Sequence, residues 1–159
     1  MFGLKLKDKQ SLEKIIIGLH SKGKKVVFTN GCFDILHYGH AKYLEQAKAK
    51  ADILVVAVNS DGSVRKLKGQ ARPLFSQKFR AKMVAALESV DYVVIFSEET
   101  PLEIIKSLKP DVLVKGGDWK EDKIVGADFV KSCGGRVSSI KFVPGFSTTN
   151  IIRKIAKIS

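Results

Sequence analysis

Thr29-Asn30-Gly31-Cys32-Phe33-Asp34-Ile35-Leu36-His37-Tyr38-Gly39-His40 is the stretch whose reading decides the fold of this chain. Before it, Val26-Val27-Phe28 is a short β-branched and aromatic run that reads as a buried strand. After it, Tyr43, Leu44 and Ala47 recur at helical spacing within Ala41–Lys48. The segment is therefore a strand-to-helix turn, with His37, Gly39 and His40 packed into the first turn of the helix. A helix start presents free N–H groups and a partial positive charge, so it favours anions. The two imidazoles add hydrogen-bond donors, and Gly39, having no Cβ, lets a phosphoryl group approach the backbone. The spacing predicts a phosphate site that is not a P-loop. A His-x-x-His zinc pair is disfavoured, because His20 and Cys133 stand alone and supply no further ligands at useful spacing.

Working outward, 159 residues suit one domain, here 1–159, with residues 1–25 as a helical N-terminal extension. No run approaches the roughly 18 apolar residues of a membrane span, and no leader pattern opens the chain. Cys32 and Cys133 form no framework, which points to a reduced, cytoplasmic protein without a membrane role. The net charge of +12 raises nucleic-acid binding, but the lysines are scattered and few aromatics stand ready to stack on bases. A basic surface equally suits an enzyme whose substrates are all phosphorylated, and nucleic acid is not expected as a partner.

In chain order, Leu12, Ile15, Ile16 and Leu19 predict an amphipathic helix over 8–22, closed by Gly23. A strand at 26–30 and a helix over about 40–50 follow. The near-continuous apolar run 52–59 marks a strand covered on both faces. From Ser60 to Ser76, Gly62, Gly69 and Arg72-Pro73 predict a long loop at the ligand edge of the sheet. Gln77 to Glu88 reads as a helix burying Phe79, Met83, Ala86 and Leu87, and Tyr92 to Phe96 as a strand. Thr100-Pro101 has the cap-then-proline order of a helix running to Leu108. Val112 to Lys115 is a strand leading into Gly116-Gly117-Asp118-Trp119, followed by a helix over Ile124–Ser132 and a strand over Arg136–Val143. Ser147-Thr148-Thr149 then caps a last helix. This alternation predicts an α/β fold: a doubly wound, mostly parallel five-stranded sheet of Rossmann-like form.

No Gly-x-x-x-x-Gly-Lys-Ser/Thr and no Gly-x-Gly-x-x-Gly occurs, so P-loop kinases and dinucleotide dehydrogenases are not supported. The second phosphate-type element is Gly145-Phe146-Ser147-Thr148-Thr149 at the last helix, with Arg153 one turn further on. Its plain alternative is an ordinary Ser/Thr helix cap.

Gly-x-Phe-Asp-x-x-His-x-Gly-His (residues 31–40), followed far downstream by Ser-Thr-Thr-x-x-x-Arg (147–153), resembles the nucleotidyltransferase superfamily of cytidylyl- and adenylyltransferases. More narrowly, residues 26–154 are similar to the heptose 1-phosphate adenylyltransferases. The narrower likeness lies in Thr29-Asn30-Gly31, Ala57-Val58-Asn59-Ser60-Asp61, Leu67-Lys68-Gly69, Arg72-Pro73, residues 113–118 and residues 147–152.

The resemblance implies transfer of AMP from ATP to a sugar 1-phosphate, with release of pyrophosphate. It implies that His37 and His40 contact the phosphates, and that Asn30, Gly31, Cys32, Phe33 and Gly39 line the nucleotide. Gly116 and Asp118 would meet the base or ribose, and Ser147, Thr148 and Thr149 the phosphate tail. Lys68 and Arg72 would serve catalysis and, with Arg80 and Arg153, bind the acceptor's phosphate. Asp34 either stands beside the phosphates through magnesium or holds the turn; Lys42 suits either a phosphate contact or an exposed helix face. Magnesium is expected with ATP, and the likeness adds a homodimer and a separate sugar kinase that supplies the acceptor. Glycerol-3-phosphate cytidylyltransferases share both end motifs and are the alternative; a regulatory or nucleic-acid-binding protein on the same fold is the alternative of a different class.

Overall fold

The computed structural model describes residues 2–158. Two short helices, α1 (Phe2–Lys5) and α2 (Lys9–Ser21), precede the first strand, β1 (Val26–Gly31). The chain continues through α3 (Tyr38–Lys48), β2 (Ile53–Asn59), α4 (Asp61–Lys68), α5 (Gln77–Ala85) and β3 (Tyr92–Phe96). It ends with α6 (Leu102–Leu108), β4 (Val112–Gly116), α7 (Ala127–Ser132), β5 (Arg136–Ile140) and α8 (Thr148–Ala156). The five strands form one sheet in the order β3-β2-β1-β4-β5, and all the strand pairs are parallel. This is the doubly wound α/β, Rossmann-like architecture that the alternating pattern predicts.

The sheet separates two apolar layers. On one side Val26, Phe28, Val55, Ala57 and Leu113 pack with Leu12 and Ile16 of α2, Ile104 and Ile105 of α6 and Val130 of α7. On the other, Val27, Val56, Val58 and Val114 pack with Tyr43 and Leu44 of α3 and with Ala81, Val84 and Ala85 of α5. The strands are buried on both faces, which is why they read as unbroken apolar runs. The chain leaves β1 toward β2 and β3, then returns to the other side of β1 to lay down β4. The crevice at the carboxyl ends of β1 and β4 is therefore the switch point where such sheets bind ligands. At the opposite edge, Leu6 makes a parallel bridge to Val93 and the Lys7 N–H donates to the Val93 carbonyl, adding a fragment of strand beside β3.

Several expectations are corrected. Residues 60–76 are not one loop: α4 occupies Asp61–Lys68, started by Ser60, whose hydroxyl accepts from the Ser63 N–H at 3.2 Å. The short helix buries only Ser63 and Val64, so it carries almost no apolar periodicity. On α5 the inward face is Arg80, Ala81, Val84 and Ala85, whereas Phe79 and Met83, expected inside, are 59% and 56% exposed. Two apolar stripes lie one residue apart on this helix. The small alanines fit the sheet, and Arg80 finds carbonyls beneath it. The helix expected over Ile124–Ser132 begins only at Ala127, because Gly126 takes a left-handed φ of +89° at its cap. The fifth strand stops at Ile140 rather than Val143, and at α6 the cap position falls on Pro101 rather than Thr100.

Candidate active site

The site begins with how α3 is seated. Tyr43 is buried on its inner face, and its hydroxyl lies 2.5 Å from the Thr29 hydroxyl of β1 and 3.5 Å from the Val114 carbonyl of β4. Burial pushes the Tyr43 pKa up to about 12, so this pin is a neutral hydroxyl at physiological pH. It fixes the start of α3 over the ends of β1 and β4.

At that start His37 occupies the cap position in extended backbone, and its carbonyl accepts from the His40 N–H at 2.9 Å. Its side chain makes no capping bond. The His37 and His40 rings are instead stacked, with centroids 3.8 Å apart and planes inclined by 21°. Phe33, itself at a left-handed φ of +48°, meets His40 edge-on at 5.2 Å. The Nδ1 atoms of both histidines are buried without a hydrogen-bond partner. Buried polar atoms are nearly always paired, so two orphans in one stack mark a place where a ligand completes the bonding.

Burial and the neighbouring His37 pull the His40 pKa down to about 4, against a smaller opposing effect from the Ile35 backbone. Burial lowers His37 as well. The pair is therefore neutral at pH 7 and offers N–H donors rather than positive charge.

The start of α8 meets this stack. Phe146 packs on Tyr38 with centroids 5.2 Å apart, and its ring lies 6.5 Å from that of His37. A Cβ at position 39 would stand 3.0 Å from His37 Cε1 and 3.0 Å from Phe146 Cβ, so glycine is what allows the two helix starts to approach. The Ser147 hydroxyl accepts from the Asn150 N–H at 3.1 Å as a helix cap. Thr148 is half-buried beside it, while Thr149 and Arg153 are exposed.

Across the end of β1 a second group is cationic. Lys68 at the end of α4, Arg72, Arg80 and Lys115 at the end of β4 all bear electrostatically on the Cys32 thiol, although burial still pushes that thiol's pKa up. The Lys115 ammonium lies 3.4 Å from Asn30 Oδ1. Lys115 was not among the residues expected from sequence; the signal for it is a charge closing the apolar run Val112-Leu113-Val114, on the strand beside β1.

Geometry moves Arg80 from its expected role and favours one of the two alternatives open for each of Asp34 and Lys42. Arg80, expected at the acceptor's phosphate, has a fully buried side chain. Its Nε donates to the Phe75 carbonyl at 2.9 Å and one terminal nitrogen to the Cys32 carbonyl at 2.5 Å. The other donates to the Asn59 carbonyl at 2.7 Å and to Asp61 at 2.8 Å. The guanidinium braces the ends of β1 and β2 from within. Asp34, considered for magnesium, spends both oxygens on the protein: Oδ2 on Arg72 Nε at 2.5 Å, and Oδ1 on the Leu74 and Phe75 N–H groups at 2.7 and 3.1 Å. It holds the turn and the loop after α4. Lys42 pairs with Glu45 at 2.6 Å on the outer face of α3.

Gly116 and Gly117 do not present open backbone. A Cβ on Gly116 would fall 2.9 Å from the Phe142 ring, and one on Gly117 would lie 3.1 Å from Phe142 and 3.3 Å from Trp119. The ring of Phe142, 68% exposed, already covers the glycines where a base was expected to rest, and Asp118 beyond them is exposed.

Comparison with known proteins follows the same lines. The family model described as cytidylyltransferase-like matches residues 28–154. The chain is 56% identical over 153 residues to the bifunctional protein HldE of Geobacter metallireducens, covering 96% of this chain and 31% of that protein. It is 54% identical over 150 residues to HldE of Aliarcobacter butzleri, covering 94% of this chain and 31% of that protein. The chain thus spans about a third of the length of the curated relatives it matches. The crystal structure of a lipopolysaccharide core biosynthesis protein from Thermoplasma volcanium superposes with a TM-score of 0.61 at 30% identity, covering 76% of this chain and 98% of that one. No helix among the described residues is long and apolar enough to cross a membrane.

Proposed function

The chain belongs to the cytidylyltransferase-like family of nucleotidyltransferases, and from that membership we propose that it transfers AMP from ATP to heptose 1-phosphate, yielding ADP-heptose and pyrophosphate. The observation that carries the reading is the meeting of two helix starts over Gly39, with the orphaned Nδ1 atoms of the histidine stack between them. Neutral imidazole and backbone N–H groups gathered at helix N-termini suit the triphosphate of a nucleotide.

The chemistry asks for positioning rather than acid–base exchange. The second pKa of a phosphate monoester is about 6, so the acceptor is largely a dianion at neutral pH and needs no general base. One of its oxygens forms the new bond to the α-phosphorus, the bond from that phosphorus to the bridging oxygen breaks, and pyrophosphate leaves with the electron pair. The chain's part is to align two anions and to stabilise charge on the five-coordinate phosphorus. His37 and His40 donate to the tail, and the α8 start receives the far phosphates. Lys68 and the outer nitrogens of Arg72 offset charge near Cys32.

Magnesium enters this reading as the counter-ion of ATP, screening the tail's charge. Among the described residues no three His, Cys, Asp or Glu side chains are grouped to hold it, and Asp34 is already paired. Phosphate oxygens and water are then its principal ligands. A sugar kinase must supply the 1-phosphate, and the reaction belongs where ATP is made available, in the cytoplasm; the enzyme acts as a homodimer.

The test is pyrophosphate release from ATP or CTP with heptose 1-phosphate or glycerol 3-phosphate. Release with ATP and heptose 1-phosphate supports the reading. Release confined to CTP with glycerol 3-phosphate overturns it.

A further inference from the structure

Lys115 is a half-buried ammonium that, among the described residues, makes no ion pair with a carboxylate. Keeping such a group charged away from water is costly unless an anion arrives to pair with it. Burial also pulls its pKa below the ordinary lysine range, with Lys68 acting in the same sense and Cys32 opposing.

Its direction follows from strand alternation, since successive side chains face opposite sides of a sheet. In β1, Phe28 packs in the layer of α2, α6 and α7, Thr29 meets Tyr43 of α3, and Asn30 turns back to the Phe28 side. In β4, Leu113 belongs to the first layer, Val114 to the second, and Lys115 returns to the first. Lys115 and Asn30 thus share a face, as their 3.4 Å approach requires, and it is the face turned away from the histidines' helix.

That opposition matters for in-line displacement, where attacking and leaving oxygens lie on opposite sides of the phosphorus. On the function proposed above, the leaving pyrophosphate sits on the histidine and α8 side. The attacking group then enters from the other side, over the end of β4. We propose that Lys115, steadied by Asn30, binds the phosphate of the acceptor and aims its oxygen at the α-phosphorus. The residue selects for acceptors that carry a phosphate monoester: a neutral alcohol would leave the ammonium unpaired in its half-buried seat. Lys68, whose charge is felt by both Cys32 and Lys115, completes a two-lysine cradle for the dianion.

The test titrates wild type, Lys115→Met and Lys115→Arg with ATP and, separately, with heptose 1-phosphate, by calorimetry, after thermal melting has shown that each variant is folded. The expected result is at least a tenfold loss of heptose 1-phosphate affinity in Lys115→Met, an ATP affinity within threefold of wild type, and partial recovery in Lys115→Arg. Steady-state kinetics should repeat the split, raising KM for the acceptor and leaving KM for ATP. Weakened ATP binding with unchanged acceptor binding overturns the proposal, as does no change in either. Wild type that binds ATP but not heptose 1-phosphate refutes the acceptor named above; the titration with glycerol 3-phosphate then decides Lys115 by the same criteria. Failure of wild type to bind either monoester overturns the role outright.

Discussion

Asp34 and Arg72, 38 residues apart in the chain, are joined by a 2.5 Å bond between Oδ2 and Nε, with only 1% of the Asp34 side chain exposed. The same carboxylate takes two backbone N–H groups of the following loop. It therefore fixes where Arg72 stands relative to Cys32, and Arg72 in turn compensates its buried charge.

Replacing Asp34 with Asn should cost about 2–4 kcal/mol of stability, since a half-broken buried pair is worse than none. Turnover should fall through a raised KM. The magnesium concentration giving half-maximal rate should stay where it is in wild type, which magnesium titration at saturating ATP checks; a tenfold shift would restore Asp34 as a ligand.

Arg80 is a structural brace, so Arg80→Lys should be damaging despite keeping the charge. An ammonium cannot reach the Phe75, Cys32 and Asn59 carbonyls and Asp61 together, as the planar fork does. Urea unfolding should show a loss of about 3–5 kcal/mol, with KM values changing less than stability does.

At the histidine stack, His37→Asn and His40→Asn should each lower turnover by about 10²-fold or more, the usual effect of removing one donor aimed at developing charge. Gly39→Ala should approach that loss with little change in melting temperature, because its methyl would press on His37 and Phe146 rather than on the core. Pyrophosphate release and thermal melts on the same preparations measure both.

The lowered histidine pKa values fix a pH dependence. Between the unfolded value of 6.5 and the folded value of about 4 for His40, the unfolded chain binds more protons than the folded one. Stability from this source is full above pH 6.5 and is lost as pH falls toward 4. Melting temperature should drop across that window in wild type and less in His40→Asn. A flat profile would contradict the burial of the stack.

A bound triphosphate reverses the balance, since adjacent negative charge favours imidazolium. ATP binding at pH 6 should therefore take up protons. Calorimetry in buffers of different ionisation enthalpy reads the uptake directly, and His40→Asn should reduce it.

How much of this was legible in the sequence depended on what each residue answers to. The strands were readable because burial on both faces leaves unbroken apolar runs, and the His37–His40 turn because its chemistry is local. Arg80 was misread: its role is set largely by two carbonyls distant in the chain, those of Cys32 and Asn59, and a lone arginine at a helix start looks the same either way. The α5 face failed for a related reason, since Phe79 and Met83 alternate with Arg80 and Val84 at equivalent spacing. Lys115 acquires meaning only when β4 is laid beside β1, a fact of topology rather than of pattern. Phe142 covers Gly116 through the path of the chain after β5, which periodicity does not describe.

The small bridge from Leu6 to Val93 has a colloidal consequence. An outer strand with bare N–H and C=O groups invites pairing with strangers. Leu6 and Lys7 shield this part of β3, so trimming the chain to begin at Asp8 should leave catalysis standing but promote aggregation on concentration.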